Sequence, residues 1–291
     1  MDGRRAVTLD TGAYRARMRV EANGLEFDVR VGGPAEGPAV LLLHGFPQNG
    51  GMWDQITPAL HAKGLRTFAP DQRGYSPGAR PDGGYPMADC VADAMALQAA
   101  LGIAPAHVVG HDWGAVVGWH LAAMPGRAHT FTAVSVPHPV GWAQARQADP
   151  AERERTSYMR LFAQPGKAEE VLLADDARRL RALFEPVDPV RREAYVQPLL
   201  APGALTGALN WYRAMTPPSL GPALVPVTFV WGEEDLAIGP AAAYACPEHV
   251  APGVDFRFVP LPGLGHWVPD LAPEVVTAEI LARVERTPQD L

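Results

Sequence analysis

The pentapeptide Gly110-His111-Asp112-Trp113-Gly114 directly follows the apolar run AHVV and leads into a second apolar run from Ala115. A side chain held on a sharp strand-to-helix turn between two small residues is in the setting of a nucleophile elbow. Here the group on the elbow is a carboxylate, and the N–H dipoles of the following helix favour its charged form. Asp is also a favoured helix N-cap, and on this pentapeptide alone the two readings stand level. Other segments weigh in. His44-Gly45-Phe46-Pro47 closes the first strong apolar run; its Phe46 N–H, together with that of Trp113, could cradle a developing oxyanion. Gly45 permits the tight turn, and Pro47 can hold it with a cis bond. Glu233-Glu234-Asp235 follows the run VTFVWG, and His266 stands in the loop Gly263-Leu264-Gly265-His266-Trp267. Nucleophile, acid and histidine in that order suit a relay in which the acid orients an imidazole base. Asp235 is the preferred acid and Glu234 the fallback.

The remaining candidates are weaker. His44 and His111 lie inside motifs but at points that do not aim them at the site. His61, His107, His129 and His249 read as exposed or packing residues. His138, between Pro137 and Pro139, could line a pocket, although a structural role is the default. No G-x-S-x-G elbow is present, and Ser76 and Ser135 stand in the wrong context for a serine nucleophile.

Positioning such residues requires a layered scaffold. Apolar runs at 39–45, 66–71, 106–110 and 227–232 predict strands buried on both faces, and 255–263 fits a late strand. Segment 88–102 carries apolar residues at helical spacing. Strand–helix alternation predicts an α/β fold with a mostly parallel central sheet flanked by helices. From about residue 140 to 220 the alternation gives way to charged helical segments broken by Pro and Gly. The expected organisation is a core formed by 1–139 and 221–291 with a helical cap inserted at 140–220. The first twenty residues could add an edge strand or stay loose.

Composition narrows the classes of function. The chain has 291 residues, 47% of them hydrophobic, and a formal net charge of −7. Arg178, Arg179, Arg181, Arg191 and Arg192 alternate with acids and apolar residues, as on a solvated helix face. With no basic cluster to follow a phosphate backbone, nucleic acid is not an expected partner. No apolar run approaches the roughly 20 residues of a membrane span, and the opening residues lack a signal peptide's apolar region. Cys90 and Cys246 form no CxxC or metal-ligand pattern. The expectation is a cytoplasmic protein with reduced thiols and no membrane partner.

These motifs resemble the epoxide hydrolases of the α/β-hydrolase superfamily. The likeness rests on His44-Gly45-Phe46-Pro47, Asp71-Gln72-Arg73-Gly74-Tyr75-Ser76, Gly110-His111-Asp112-Trp113-Gly114 and Gly265-His266-Trp267, and runs over nearly the whole chain after about residue 25. The DQRGYS segment is common to many hydrolases of this fold; GHDWG is more specific, because most relatives carry Ser at its centre. In that family two cap tyrosines face the nucleophile and bond the oxirane oxygen. The surroundings of Tyr158, in Ser157-Tyr158-Met159-Arg160-Leu161-Phe162, and of Tyr212, in Leu209-Asn210-Trp211-Tyr212-Arg213, resemble theirs. Without the family both would read as packing residues, and Tyr195 is a lesser candidate.

The resemblance implies attack of Asp112 on an epoxide carbon, proton donation from Tyr158 and Tyr212, and hydrolysis of the resulting ester by water activated by His266 and Asp235. No metal and no organic cofactor is implied. Trp142, Phe162, Leu199, Leu200 and Met215 are expected to shape an apolar pocket for an apolar small-molecule epoxide; oligomeric state is not read. Haloalkane dehalogenase is the alternative, since it shares the carboxylate nucleophile and Trp113 could bind halide, but Phe46 stands where a second halide donor is expected. Fluoroacetate dehalogenases usually place Arg where Trp113 stands. A binding protein without turnover would be expected to have lost one of these residues.

Overall fold

The computed structural model describes residues 6–7 and 16–286. Nine strands form one sheet: β1 (Ala6–Val7), β2 (Ala16–Ala22), β3 (Leu25–Gly32), β4 (Ala39–Leu43), β5 (Arg66–Pro70), β6 (Ala106–His111), β7 (Ala128–Val134), β8 (Val227–Gly232) and β9 (Phe256–Leu261). Their spatial order is β1-β2-β3-β5-β4-β6-β7-β8-β9. From β5 to β9 every pairing is parallel, whereas β1, β2 and β3 join antiparallel at one edge. The expected parallel strands at 39–45, 66–71, 106–110, 227–232 and 255–263 are all present, and their continuous apolar character has a direct cause. Leu41 and Leu43 of β4 point into the core on one face and Val40 and Leu42 into the core on the other; Val108 and Val109 of β6, and Phe229 and Val230 of β8, divide likewise.

The antiparallel edge is an addition to the sequence reading. β2 and β3 form a hairpin whose turn, Asn23-Gly24, has positive φ at both residues (49° and 74°). That is the twist-matched turn for which Asn-Gly is favoured. β1 adds to the hairpin through Ala6↔Met18 and Val7↔Arg17, so part of the first twenty residues does extend the edge. Residues 1–5 and 8–15 lie outside the described residues.

Helices cover both faces: α1 (Thr57–Ala62), α2 (Met87–Leu101) and α3 (Trp113–Ala122) precede β7, and α10 (Pro240–Tyr244), α11 (Val268–Leu271) and α12 (Pro273–Glu285) follow β8. Between β7 and β8 run six helices: α4 (Pro139–Ala148), α5 (Pro150–Arg155), α6 (Met159–Phe162), α7 (Lys167–Ala182), α8 (Pro189–Leu199) and α9 (Ala204–Arg213). α7 is interrupted by left-handed φ at Asp175, Asp176 and Ala177. Phe162, Leu180, Tyr195, Leu199 and Tyr212 from this insertion share one apolar cluster with Phe46, Trp53 and Trp267 of the sheet layer. The insertion therefore packs over the carboxyl ends of β4, β6 and β9, where α/β sheets bind ligands.

Candidate active site

Each candidate segment begins where a parallel strand stops. β4 ends at Leu43 before His44–Pro47, β6 ends at His111 before Asp112, β8 ends at Gly232 before Asp235, and β9 ends at Leu261 before His266. Asp112 takes φ 52° and ψ −122°, and its side chain makes no N-cap bond to α3. Backbone of this kind is costly for a non-glycine residue and clusters at functional sites. The plain N-cap reading does not describe this residue. The turn is possible because its neighbours lack Cβ atoms. A Cβ on Gly110 would lie 2.3 Å from the Gly114 carbonyl oxygen, and one on Gly114 would lie 2.2 Å from that of Leu43. Strand and helix meet backbone to backbone and push the carboxylate out over the sheet.

The Phe46 N–H donates to Asp112 Oδ1 at 2.7 Å, and the Trp113 N–H also supports the carboxylate. Gly45 makes room for this, since a Cβ there would fall 2.3 Å from Asp112 Oδ1. The Phe46–Pro47 peptide is cis. On the other side, Asp112 Oδ2 is 3.7 Å from His266 Nε2, while His266 Nδ1 donates to Asp235 Oδ2 at 2.8 Å. Asp235 is fully buried, whereas Glu233 and Glu234 are exposed. Its Oδ1 accepts the N–H groups of Ala237 and Ile238 at 2.7 and 3.1 Å. The imidazole is thus oriented by a carboxylate that is itself fixed, and Glu234 takes no part.

Charge in this cluster is mutually supporting. Burial opposes ionisation of Asp112, but the His266 imidazole beside it prevails and holds the carboxyl below its ordinary range. Burial likewise opposes protonation of His266, yet Asp235 and Asp112 raise its pKa to about 10. Both shifts favour the same state, a carboxylate beside an imidazolium. His111, placed behind it, is pushed down to about 4 by burial and by the charge of His266; its Nε2 donates to the His266 carbonyl oxygen at 3.0 Å. Ser135 Oγ donates to the same carbonyl at 2.7 Å, so His111 and Ser135 anchor the histidine loop.

Tyr158, the residue before α6, and Tyr212, on α9, face this cluster. Their rings lie 6.4 Å apart, and that of Tyr212 packs edge-on to Trp113 and Phe46, each at 5.2 Å. Burial and then the Asp112 charge push both phenols upward, so both stay protonated donors. Asp112, His266, Tyr158 and Tyr212 open onto one cavity of about 1050 Å³, lined mostly by apolar side chains. Its volume is at the top of the roughly 300–1,000 Å³ usual for small-molecule sites.

Residues 38–273 match the α/β hydrolase fold family. The chain is 34% identical over 280 residues to the AB hydrolase superfamily protein YfhM of Bacillus subtilis (strain 168), covering 90% of this chain and 95% of that one. It is 30% identical over 321 residues to epoxide hydrolase A of Mycobacterium tuberculosis, covering 93% and 97%. The chain belongs to the epoxide hydrolases of the α/β-hydrolase family. Solved epoxide hydrolases superpose over nearly its full length. One from a hot-environment metagenome gives a TM-score of 0.83 at 27% identity, covering 96% of this chain and 99% of that one. Epoxide hydrolase A from Mycobacterium thermoresistibile gives 0.81 at 27%, covering 94% and 98%.

In this epoxide hydrolase the expected pocket residues divide. Trp142 and Met215 line the cavity. Phe162 does not; it is buried behind the tyrosines, 5.2 Å from the Tyr158 ring and 5.1 Å from that of Tyr212. Leu199 and Leu200, expected in the pocket, are not part of its lining. Leu199 is buried in the core beside Phe184 and Tyr195, and Leu200, one residue past the end of α8, is exposed. Tyr195 is not at the site either, since its hydroxyl bonds Asp270 Oδ1 at 2.8 Å. His138 stacks on His249 at 4.7 Å and is not part of the cavity lining. Much of the real wall comes from helices outside the insertion: Met87, Val91 and Met95 on α2, with Val116 and His120 on α3 and Met124 just past its end. Both trios stand four residues apart, the spacing of one helix stripe, and that spacing could have identified them.

Proposed function

We propose that this chain hydrolyses an apolar epoxide to a vicinal diol through an alkyl ester on Asp112. The observation that carries the reading is the division of labour between the two oxygens of Asp112. Oδ1 sits on the Phe46 N–H, and Oδ2 is left toward the cavity and His266.

Asp112 Oδ2 attacks one oxirane carbon from the face opposite the C–O bond, forming the ester bond as that C–O bond breaks. Tyr158 and Tyr212 hydrogen-bond the departing oxygen and supply its proton, without which the leaving group would be an alkoxide. A carboxylate suits this step because it needs no prior deprotonation and its ester can be hydrolysed at the carbonyl. Ester formation also removes the Asp112 charge, one of the two anions that hold the proton on His266. The imidazole then becomes a better base, still oriented by Asp235. Its proton makes good the one given up by the phenol; the neutral imidazole then takes a proton from water, the hydroxyl adds to Asp112 Cγ, and the oxyanion on Oδ1 is met by the Phe46 and Trp113 N–H groups. Collapse breaks the Cγ–Oδ2 bond as the imidazolium gives its proton to the departing diol oxygen, and the new carboxyl then ionises and returns a proton to His266. No metal or organic cofactor enters these steps.

Residues 140–220 act as the cap that closes the cavity over a core formed by 1–139 and 221–291. The enzyme works in the cytoplasm with both thiols reduced; Cys90 and Cys246 are buried and free, and no helix among the described residues is long and apolar enough to cross a membrane. The test is diol formation from styrene oxide beside halide release from a haloalkane panel, with Asp112→Ala as control. Diol formation that disappears in Asp112→Ala is the expected result. Halide release without diol would transfer the chain to the haloalkane dehalogenases.

A further inference from the structure

The cavity carries a cation that the hydrolysis of an apolar epoxide does not use. Arg146, near the end of α4, lines it and lays its guanidinium over the Trp142 ring at 4.7 Å. Its Nε is buried without a hydrogen-bond partner, as is Trp142 Nε1. Among the described residues no carboxylate pairs with it. The nearby acids are committed elsewhere: Asp149 caps α5 through the Ala151 N–H, and Glu152 accepts the Gly239 and Ala242 N–H groups. The one carboxylate in the cavity lining is Asp112, which is already matched by His266. Arg153, also in the lining, adds a second positive charge and donates to the Arg146 carbonyl oxygen at 3.3 Å.

An arginine at the edge of an apolar site, held flat by an aromatic ring and lacking its own counter-ion, is arranged to receive an oxyanion. Its field reaches the site, since the Arg146 charge acts on the Tyr158 phenol. We propose that Arg146, stacked on Trp142, is an anion subsite that binds the carboxylate of an amphiphilic epoxide while the apolar remainder of the molecule fills the cavity. This rests on the hydrolase reading and adds an acidic head group to its substrate class. The subsite also orients the substrate, because a chain tethered at its carboxylate presents a limited stretch of carbons to Asp112.

The probe pair is octanoate and 1-octanol, whose binding by calorimetry requires no turnover. Wild type should bind octanoate more tightly than octanol, and octanoate alone should weaken as salt is raised. Arg146→Met keeps an apolar contact with Trp142 and removes the charge. It should lower the octanoate-to-octanol affinity ratio by about tenfold or more, the scale of one charge-assisted hydrogen bond. Arg146→Lys should retain part of the preference, and it tests the charge independently if the Met variant does not fold. An unchanged ratio in Arg146→Met, or a wild type that prefers octanol, overturns the subsite. Diol formation from styrene oxide is read separately: its absence with Arg146-dependent octanoate binding would sink the hydrolysis and keep the subsite, and the reverse pattern would do the opposite.

Discussion

Replacing Asp112 by Asn removes the negative charge 3.7 Å from His266 Nε2 and keeps the side chain's shape, so the variant imitates the charge state of the ester. Two opposite unit charges at that separation interact by about 4 kcal/mol at an effective dielectric constant of about 20. That sets a ceiling of about three on the resulting fall in imidazole pKa. Both side chains keep partial exposure to the cavity (14% and 15%) and Asp235 remains bonded at 2.8 Å, so a fall of about one to three is expected. The starting value is about 10. The assay is an NMR titration of the His266 imidazole in both proteins, assigned with His266→Gln. Thermal unfolding gives an independent reading. A folded pKa raised above the unfolded value of about 6.5 stabilises fully below that pH, and the contribution is lost as pH rises toward 10. In Asp112→Asn the loss should be complete at lower pH. If His266 titrates at the same pH in both proteins, ester formation does not switch on the base and that part of the mechanism fails.

Tyr158→Phe and Tyr212→Phe should each slow ester formation in single-turnover experiments by about tenfold to a thousandfold; unchanged rates in both would remove the tyrosines from the proton transfer. His266→Gln should trap the ester, seen by mass spectrometry as substrate mass added to the peptide bearing Asp112. A bare peptide after substrate exposure would count against a covalent step. Leu199→Ala should cost about 2–5 kcal/mol of stability, as for a buried leucine, whereas Leu200→Ala at an exposed position should cost under about 0.5 kcal/mol. Comparable denaturation midpoints for the two variants would contradict the packing of α8.

The site segments could be read from sequence because each is short, local and tied to a strand end. GHDWG, HGFP and GLGH concentrate glycine where backbone approaches backbone, and the contacts at Gly110, Gly114 and Gly45 show why. The parallel strands were legible for a similar reason: burial on both faces leaves continuous apolar runs. In sequence the β2–β3 hairpin shows only its Asn23-Gly24 turn signal, because its strands mix polar and apolar residues. β7 lacks the continuous apolar run of its neighbours because AHTFTAV interleaves Thr and His with apolar residues, and both Thr130 and Thr132 are buried. Leu199 and Leu200 show the limit of composition. Two adjacent leucines on one helix end face different surroundings, and only packing decides which side meets a cavity. The stripes of α2 and α3 that line the cavity read in sequence as ordinary core-facing helix faces, because apolar spacing does not say whether a face meets packing or a cavity.

The order of the strands has a consequence for biosynthesis. From β6 onward, strands enter the sheet in the order in which they leave the ribosome, β6-β7-β8-β9, each pairing with the edge left by its predecessor. The elbow at Asp112 can form once β4 and β6 have paired, with its backbone already in a costly conformation. Its counter-charge arrives only after β9, with His266. A nascent chain that pauses before β9 therefore carries most of the sheet and a strained carboxylate without its imidazolium. The outer strand of the sheet and the counter-charge of the nucleophile are thus supplied by one short segment of the chain, β9 and the loop that follows it.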